Sequence, residues 1–183
     1  MNKTILFIHS AGPQGPNQGS SNLINYLEQE LENSYQIIHP QMPAPEDPKY
    51  DQWKHQLEKE LSLLNGEAIL IGHSLGGSVL LKYLSEHSCK LTIRGLFILA
   101  SPYWGLDEEW QLADFMLQHH FADKLPSIAN IFLYHSRNEK IVPFAHHQAY
   151  AKKLPQAAAR QIDGDRHLFH DGLAVLVDDI KGL

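Results

Sequence analysis

Gly72-His73-Ser74-Leu75-Gly76 places a serine between two glycines, directly after the aliphatic run of residues 68–71. A serine at a sharp strand-to-helix reversal can attack an acyl carbonyl, because the turn forces its backbone into strained φ/ψ and exposes Oγ. The serine Cβ must then clear the backbone on either side, and Gly72 and Gly76 remove those clashes, while Gly77 lets the helix approach the sheet. The competing account is a Gly-rich turn with an incidental serine. The strand before and the helix after favour the nucleophile. There is no G-x-x-x-x-G-K-[ST] and no G-x-G-x-x-G, so the glycines do not read as a phosphate cradle.

A serine hydroxyl needs a base, and the base needs an orienting acid. With G-x-S-x-G on such a turn, the acid and then the histidine follow in chain order. "DGDRHLFHDG" is the last histidine-bearing loop, and His167 in it is the candidate base, anchored by Leu168 and Phe169. His170, three residues on, faces solvent or caps the final helix in this reading. The acid belongs in "YHSRNEKIVPF", where Glu139 is the sole carboxylate. Asp107 and Asp165 compete with it, and an exposed Glu139 paired to Arg137 or Lys140 is the ordinary alternative.

The developing oxyanion needs donors. Leu75 N–H, at the unpaired start of a helix, is one candidate. The second should come from the loop after the first strand, "FIHSAGPQGPNQGS", through Ser10 or Ala11 N–H. His9, His73, Trp104, Trp110, Phe115 and Met116 are candidates for a substrate pocket, the last four for an apolar acyl group; core packing of a crossover helix is the alternative for those four.

These groups need a scaffold. Residues 4–9, 35–39, 67–72, 93–100, 128–135 and 158–163 read as strands. The first four lack two-residue alternation, as strands buried on both faces do. Helical patterns fill 21–32, 51–64, 75–87, 144–154 and 173–183, with Asp51 as an N-cap and Trp53, Leu57, Leu61 and Leu64 on a buried stripe. The alternation predicts an α/β fold with a mostly parallel sheet, in one domain over 1–183. Residues 103–126 are longer than a plain crossover needs, and read either as a short lid or as a crossover helix with ragged ends.

The chain has 183 residues, 43% hydrophobic and 20% charged, a globular composition. A net charge of −6 without a basic block gives no footprint for nucleic acid. No stretch approaches the roughly 18 apolar residues of a membrane span. The single cysteine, Cys89, excludes an intrachain disulfide. The first apolar run ends after about five residues, short of a signal-peptide core, so a cytoplasmic protein is expected. The pairs His119–His120 and His146–His147 lack ligand-spaced partners and read as surface histidines, with no metal site expected. The sequence sets no oligomeric state.

Together these segments resemble the α/β-hydrolase superfamily, and within it the small serine hydrolases typified by retinoblastoma-binding protein nine. "FIHS" is similar to that family's strand before the oxyanion loop, and "PEDPKYDQWKHQLEKEL" to its Pro-rich approach to a Trp-bearing helix. "LIGHSLGG" resembles the elbow, "SRNEKIVPF" the acid loop and "DGDRHLF" the histidine loop. The resemblance implies a compact three-layer fold of about six strands in the order 2-1-3-4-5-6, with helices on both faces. It implies hydrolysis of a small-molecule ester or amide through an acyl-enzyme, without a cofactor. Two positions depart from the family: Asn138-Glu139 stands where Asp is usual, and His9-Ser10 where His-Gly is usual. Glutamate is one methylene longer, so its carboxylate must be set back or the loop shifted.

The expectation is a carboxylesterase-like serine hydrolase with Ser74, Glu139 and His167 as its catalytic set. A non-catalytic binding or scaffolding protein on the same fold is the alternative. Thioester or carbon–carbon bond hydrolysis would keep the same three residues with different chemistry.

Overall fold

The computed structural model describes residues 3–183. Strands β1 (Lys3–Ile8), β2 (Tyr35–Ile38), β3 (Glu67–His73), β4 (Thr92–Leu99), β5 (Ile131–Ser136) and β6 (Ala158–Ile162) form one sheet in the order β2-β1-β3-β4-β5-β6. Every pairing is parallel. Helices α1 (Ser21–Leu31), α2 (Tyr50–Leu63), α3 (Leu75–Glu86), α4 (Phe121–Lys124), α5 (Phe144–Lys153) and α6 (Ala174–Lys181) connect and cover the strands.

The strand period of two sorts the central side chains into two cores. Ile5, Phe7, Ile69, Ile71, Phe97 and Leu99 pack with α1 and α6. Leu6, Ile8, Leu70, Leu96 and Ile98 face the other way, onto α2 and α3. The alternation predicts an α/β fold with a mostly parallel sheet, the resemblance implies this three-layer arrangement and strand order, and continuous aliphatic runs are what doubly covered strands require.

Helix α2 starts one residue earlier than expected. Lys49 is extended at the N-cap, and Asp51 lies in the first turn, 3.6 Å from Lys54. Tyr50 is the cause: its ring is buried and meets Phe115 edge-on at 6.0 Å, so its backbone joins the helix. Leu64, expected on the buried stripe, follows the helix and is half-buried.

The β4–β5 connection holds no full crossover helix. Residues 103–126 carry a 3-10 turn, Ala113–Phe115, and the four-residue α4; the rest is irregular. Phe115 and Phe121 plug this segment into the core. Lys82 of α3 clamps it, donating to the Met116 carbonyl at 2.9 Å and to Glu86 Oε1 at 2.7 Å.

The histidine pairs divide. His119 and His120 are exposed, as expected, but His146 and His147 are buried in α5. The reason is contact: His146 packs against Trp110 and accepts Tyr103 N–H at 2.9 Å, while His147 lies against Phe144 and His135. Among the described residues, no three His, Cys, Asp or Glu side chains are grouped to hold a metal ion, and no helix is long and apolar enough to cross a membrane.

Candidate active site

Ser74 sits between β3 and α3 with φ 52° and ψ −120°, a conformation a β-carbon disfavours. Its N–H donates to Leu99 O at 2.8 Å, which ties the turn to β4. A Cβ on Gly76 would lie 2.3 Å from Ile8 O, and one on Gly72 would lie 2.5 Å from Gly77 Cα. Backbone on both sides therefore demands glycine, and the turn lifts Ser74 Oγ at the carboxyl edge of the sheet, where such folds bind ligands.

Three distant loops meet there. His167 Nε2 lies 3.1 Å from Ser74 Oγ, and His167 Nδ1 lies 3.0 Å from each oxygen of Glu139. Glu139 is buried and also accepts Val142 N–H at 2.7 Å. Burial alone would raise its carboxyl; hydrogen bonds and charge from His135 and His167 outweigh that and hold it at about 2. A carboxylate so held keeps the proton of His167 on Nδ1, leaving Nε2 to accept from Ser74 O–H. The competitors lie apart: Asp107 and Asp165 are both exposed, and Asp107 Oδ1 accepts Glu109 N–H.

The longer glutamate is accommodated by this anchoring. Val142 N–H draws Oε1 back into its own loop, so the added methylene is taken up without displacing His167. His135, which the sequence did not single out, supports the loop from below: Nε2–H donates to Val142 O at 2.7 Å.

The oxyanion candidates separate. Ser10 N–H is buried and donates to Ser20 Oγ at 3.0 Å, so it is not available to a substrate. Gly12 N–H is also taken, by Pro45 O at 2.7 Å. Among the described residues, Ala11 N–H and Leu75 N–H have no partner, and both residues line the cavity beside Ser74.

That cavity has a volume of about 310 Å³. Trp104 and Trp110 line it as expected; Pro102, Leu112, Ile141 and Leu168 do so without having been anticipated. Their signal was faint, since an isolated aliphatic or proline in a loop reads as ordinary. Four expected pocket residues lie elsewhere. Phe115 is core, its ring tilted against Trp104 at 5.9 Å, and Met116 lies against Gly105. His9 is buried between Phe7 and His39, its pKa lowered to about 4 by burial and by His39. His73 is wholly buried behind His167, and burial with the neighbouring His167 lowers it to about 3. His170 is exposed and bonded to Asn22; it does not cap α6, which starts at Ala174.

No functionally curated protein matches the chain by sequence. Among solved structures, the ydeN gene product of B. subtilis superposes with a TM-score of 0.81 at 21% identity, covering 99% of this chain and 98% of that one. A meta-cleavage product hydrolase (CumD) of Pseudomonas fluorescens IP01 gives a TM-score of 0.75 at 10% identity, over 99% and 91% of the two chains. A structure from work on carboxylesterases of Nitrososphaera gargenis gives 0.69 at 14% identity, over 99% and 89%. At such identities the likeness carries the α/β-hydrolase fold alone. The sequence carries the rest: the serine hydrolase family model matches residues 17–172, and the chain belongs to that family.

Proposed function

We propose that the protein is a carboxylesterase-like serine hydrolase that cleaves small neutral acyl esters through an acyl-enzyme on Ser74. The observation carrying this reading is the unbroken line from the Glu139 carboxylate through His167 to Ser74 Oγ, with contacts of 3.0 and 3.1 Å. In this reading Ser74 Oγ attacks the acyl carbonyl carbon as its proton passes to His167 Nε2. The carbonyl oxygen takes the negative charge and meets Leu75 N–H and Ala11 N–H. Glu139 stabilises the imidazolium, which then protonates the departing alkoxide. Water repeats the sequence, with His167 as base, and releases the acid.

The cavity supports the choice of substrate. Among the described residues, no Lys, Arg, Asp or Glu lines it. An acyl group carrying a carboxylate would be desolvated there without a partner, which disfavours it. At about 30 Å³ per water-sized group, 310 Å³ holds on the order of ten heavy atoms, so short to medium acyl chains fit. Residues 103–126 supply Trp104, Trp110 and Leu112 as one wall and act as a short lid in this scheme. The lone Cys89 is in keeping with a cytoplasmic location.

The test is labelling with a fluorophosphonate probe, beside Ser74→Ala, together with a panel of p-nitrophenyl esters. Labelling of the wild type, lost in the variant, with turnover of acetate to hexanoate esters, is expected. A folded, unlabelled wild type would overturn this reading and support the binding-protein alternative instead.

A further inference from the structure

Ser20 immediately precedes α1 and is fully buried, 53 positions before His73 in the chain, yet their side chains meet at 2.8 Å. The hydrogen bonds around them have one consistent direction. His73 Nε2 lies 2.9 Å from the His167 carbonyl, which can only accept, so Nε2 carries the proton. Burial keeps the His73 ring neutral, and Nδ1 is therefore bare. Ser20 O–H donates to it. The Ser20 oxygen is then free to accept, and it takes Ser10 N–H at 3.0 Å; Ser10 Oγ lies 3.3 Å away.

This chain joins three loops that the reaction needs: the base loop at His167, the elbow at His73 and the loop after β1 at Ser10. Its effect on the last is specific. Ser10 N–H is drawn inward to Ser20, and Gly12 N–H is held by Pro45 O. Ala11 N–H, between these two fixed amides, is the uncommitted donor at the cavity wall.

We propose that Ser20 and His73 are positioning residues that aim Ala11 N–H at the oxyanion and hold the His167 backbone in register with it. The inference rests on the hydrolase reading above. Neither side chain touches substrate. A hydroxyl at 20 is required because one atom must both accept from an amide and donate to an imidazole, which neither alanine nor a bare donor can do. Without it, Ser10 N–H is left buried and unpaired, and the strand end can turn to satisfy it. Ala11 N–H then leaves the position where charge develops, while ground-state contacts in the cavity are unchanged.

The experiment compares wild type and Ser20→Ala in ester turnover and in affinity for an alkyl boronic acid that forms a tetrahedral adduct on Ser74. Misaiming one oxyanion donor should lower kcat by on the order of 10- to 100-fold, with KM within about twofold and boronate affinity reduced by the same factor as kcat. Unchanged kcat and boronate affinity, or a change in KM alone, would overturn the proposal. A second measurement uses wild type only and so survives a variant that fails to fold. In ¹⁵N-resolved spectra, boronate binding should shift the Ala11 and Leu75 amides, while the Ser10 amide stays protected from exchange. A bound-state shift at Ser10 with none at Ala11 also overturns it. Failure of the wild type to bind boronate or phosphonate at Ser74 would sink the hydrolase reading along with this one; a reactive wild type matched by Ser20→Ala sinks this one alone.

Discussion

Glu139 presents both carboxylate oxygens to His167 Nδ1, each at 3.0 Å, and it does so from a site with no side-chain exposure. The contact bridges two loops 28 residues apart. A buried carboxylate in this position is stable only while its partners hold it, so the same geometry governs reactivity and acid sensitivity.

Glu139→Gln should keep the fold at neutral pH and lose about 10³-fold or more in kcat, because a neutral amide neither fixes the His167 tautomer nor stabilises the imidazolium. Glu139→Asp should fall between the two. Its shorter chain cannot reach Val142 N–H and His167 together. Asp107→Asn and Asp165→Asn, at exposed sites, should stay within about twofold of wild type. Steady-state turnover of a p-nitrophenyl ester checks all four; a dead Asp107→Asn beside an active Glu139→Gln would reassign the acid.

Acid should destabilise the protein well above the pH at which Glu139 titrates. His9 and His147 are lowered to about 4 and His73 to about 3, with burial the leading cause in each. The folded state refuses protons that the unfolded chain accepts below pH 6.5. Their contribution is complete above 6.5 and is lost as pH falls toward 4. From pH 7.5 to 5.5 the three together should cost about 4 kcal/mol, and His147→Leu should remove about a third of that drop. Glu139 adds a second loss as pH falls from 4.5 toward 2, since its folded pKa is depressed. Urea unfolding at the two pH values reads the first effect, and a flat profile would contradict the burial of these rings as neutral groups.

Much of this arrangement was legible in the chain itself. The aliphatic runs gave the sheet because strands covered on both faces cannot alternate, and the elbow was legible because backbone crowding leaves only glycine at 72 and 76. His167 and Glu139 followed from loop order. Other features depend on long-range contacts that no local pattern encodes. Ser10 and Ala11 were equal candidates until Ser20 took the first amide. His146 and His147 read as polar surface because two of the residues that bury them, Trp110 and His135, come from segments outside their own helix. Phe115 and Met116 were placed in the pocket on hydrophobicity alone, which cannot say which side of an irregular segment faces the core.

The cavity wall predicts chain-length selectivity. Trp110 packs against Trp104 with ring centres 5.1 Å apart and planes tilted by 55°, closing one side, while Leu112 and Ile141 stand exposed at the rim. Turnover should rise about fourfold for each methylene the cavity buries, at about 0.8 kcal/mol apiece, and level off once the chain passes the rim, so that palmitate esters gain nothing over hexanoate. Trp110→Ala should enlarge the cavity and shift that limit to longer chains. An unchanged limit would mean that the acyl group lies elsewhere.

Ser74 itself should trade stability for function. Its φ of 52° with ψ of −120° costs a residue bearing a Cβ about 1–3 kcal/mol. Ser74→Ala keeps that strain and Ser74→Gly relieves it, while both lose the hydroxyl and its contact with His167. Glycine also loses about 0.5–1 kcal/mol through the freedom of its unfolded chain. The difference should leave Ser74→Gly more stable than Ser74→Ala by about 1 kcal/mol, with neither variant active. Thermal unfolding of the pair measures it, and equal stabilities would show that the elbow stores no usable strain. Gly76→Ala gives the opposite sign: its new Cβ would meet Ile8 O at 2.3 Å and His9 O at 2.6 Å, backbone atoms of a central strand and the loop it enters. Neither can retreat without opening β1 against β3, so this variant should lose several kcal/mol or fail to fold.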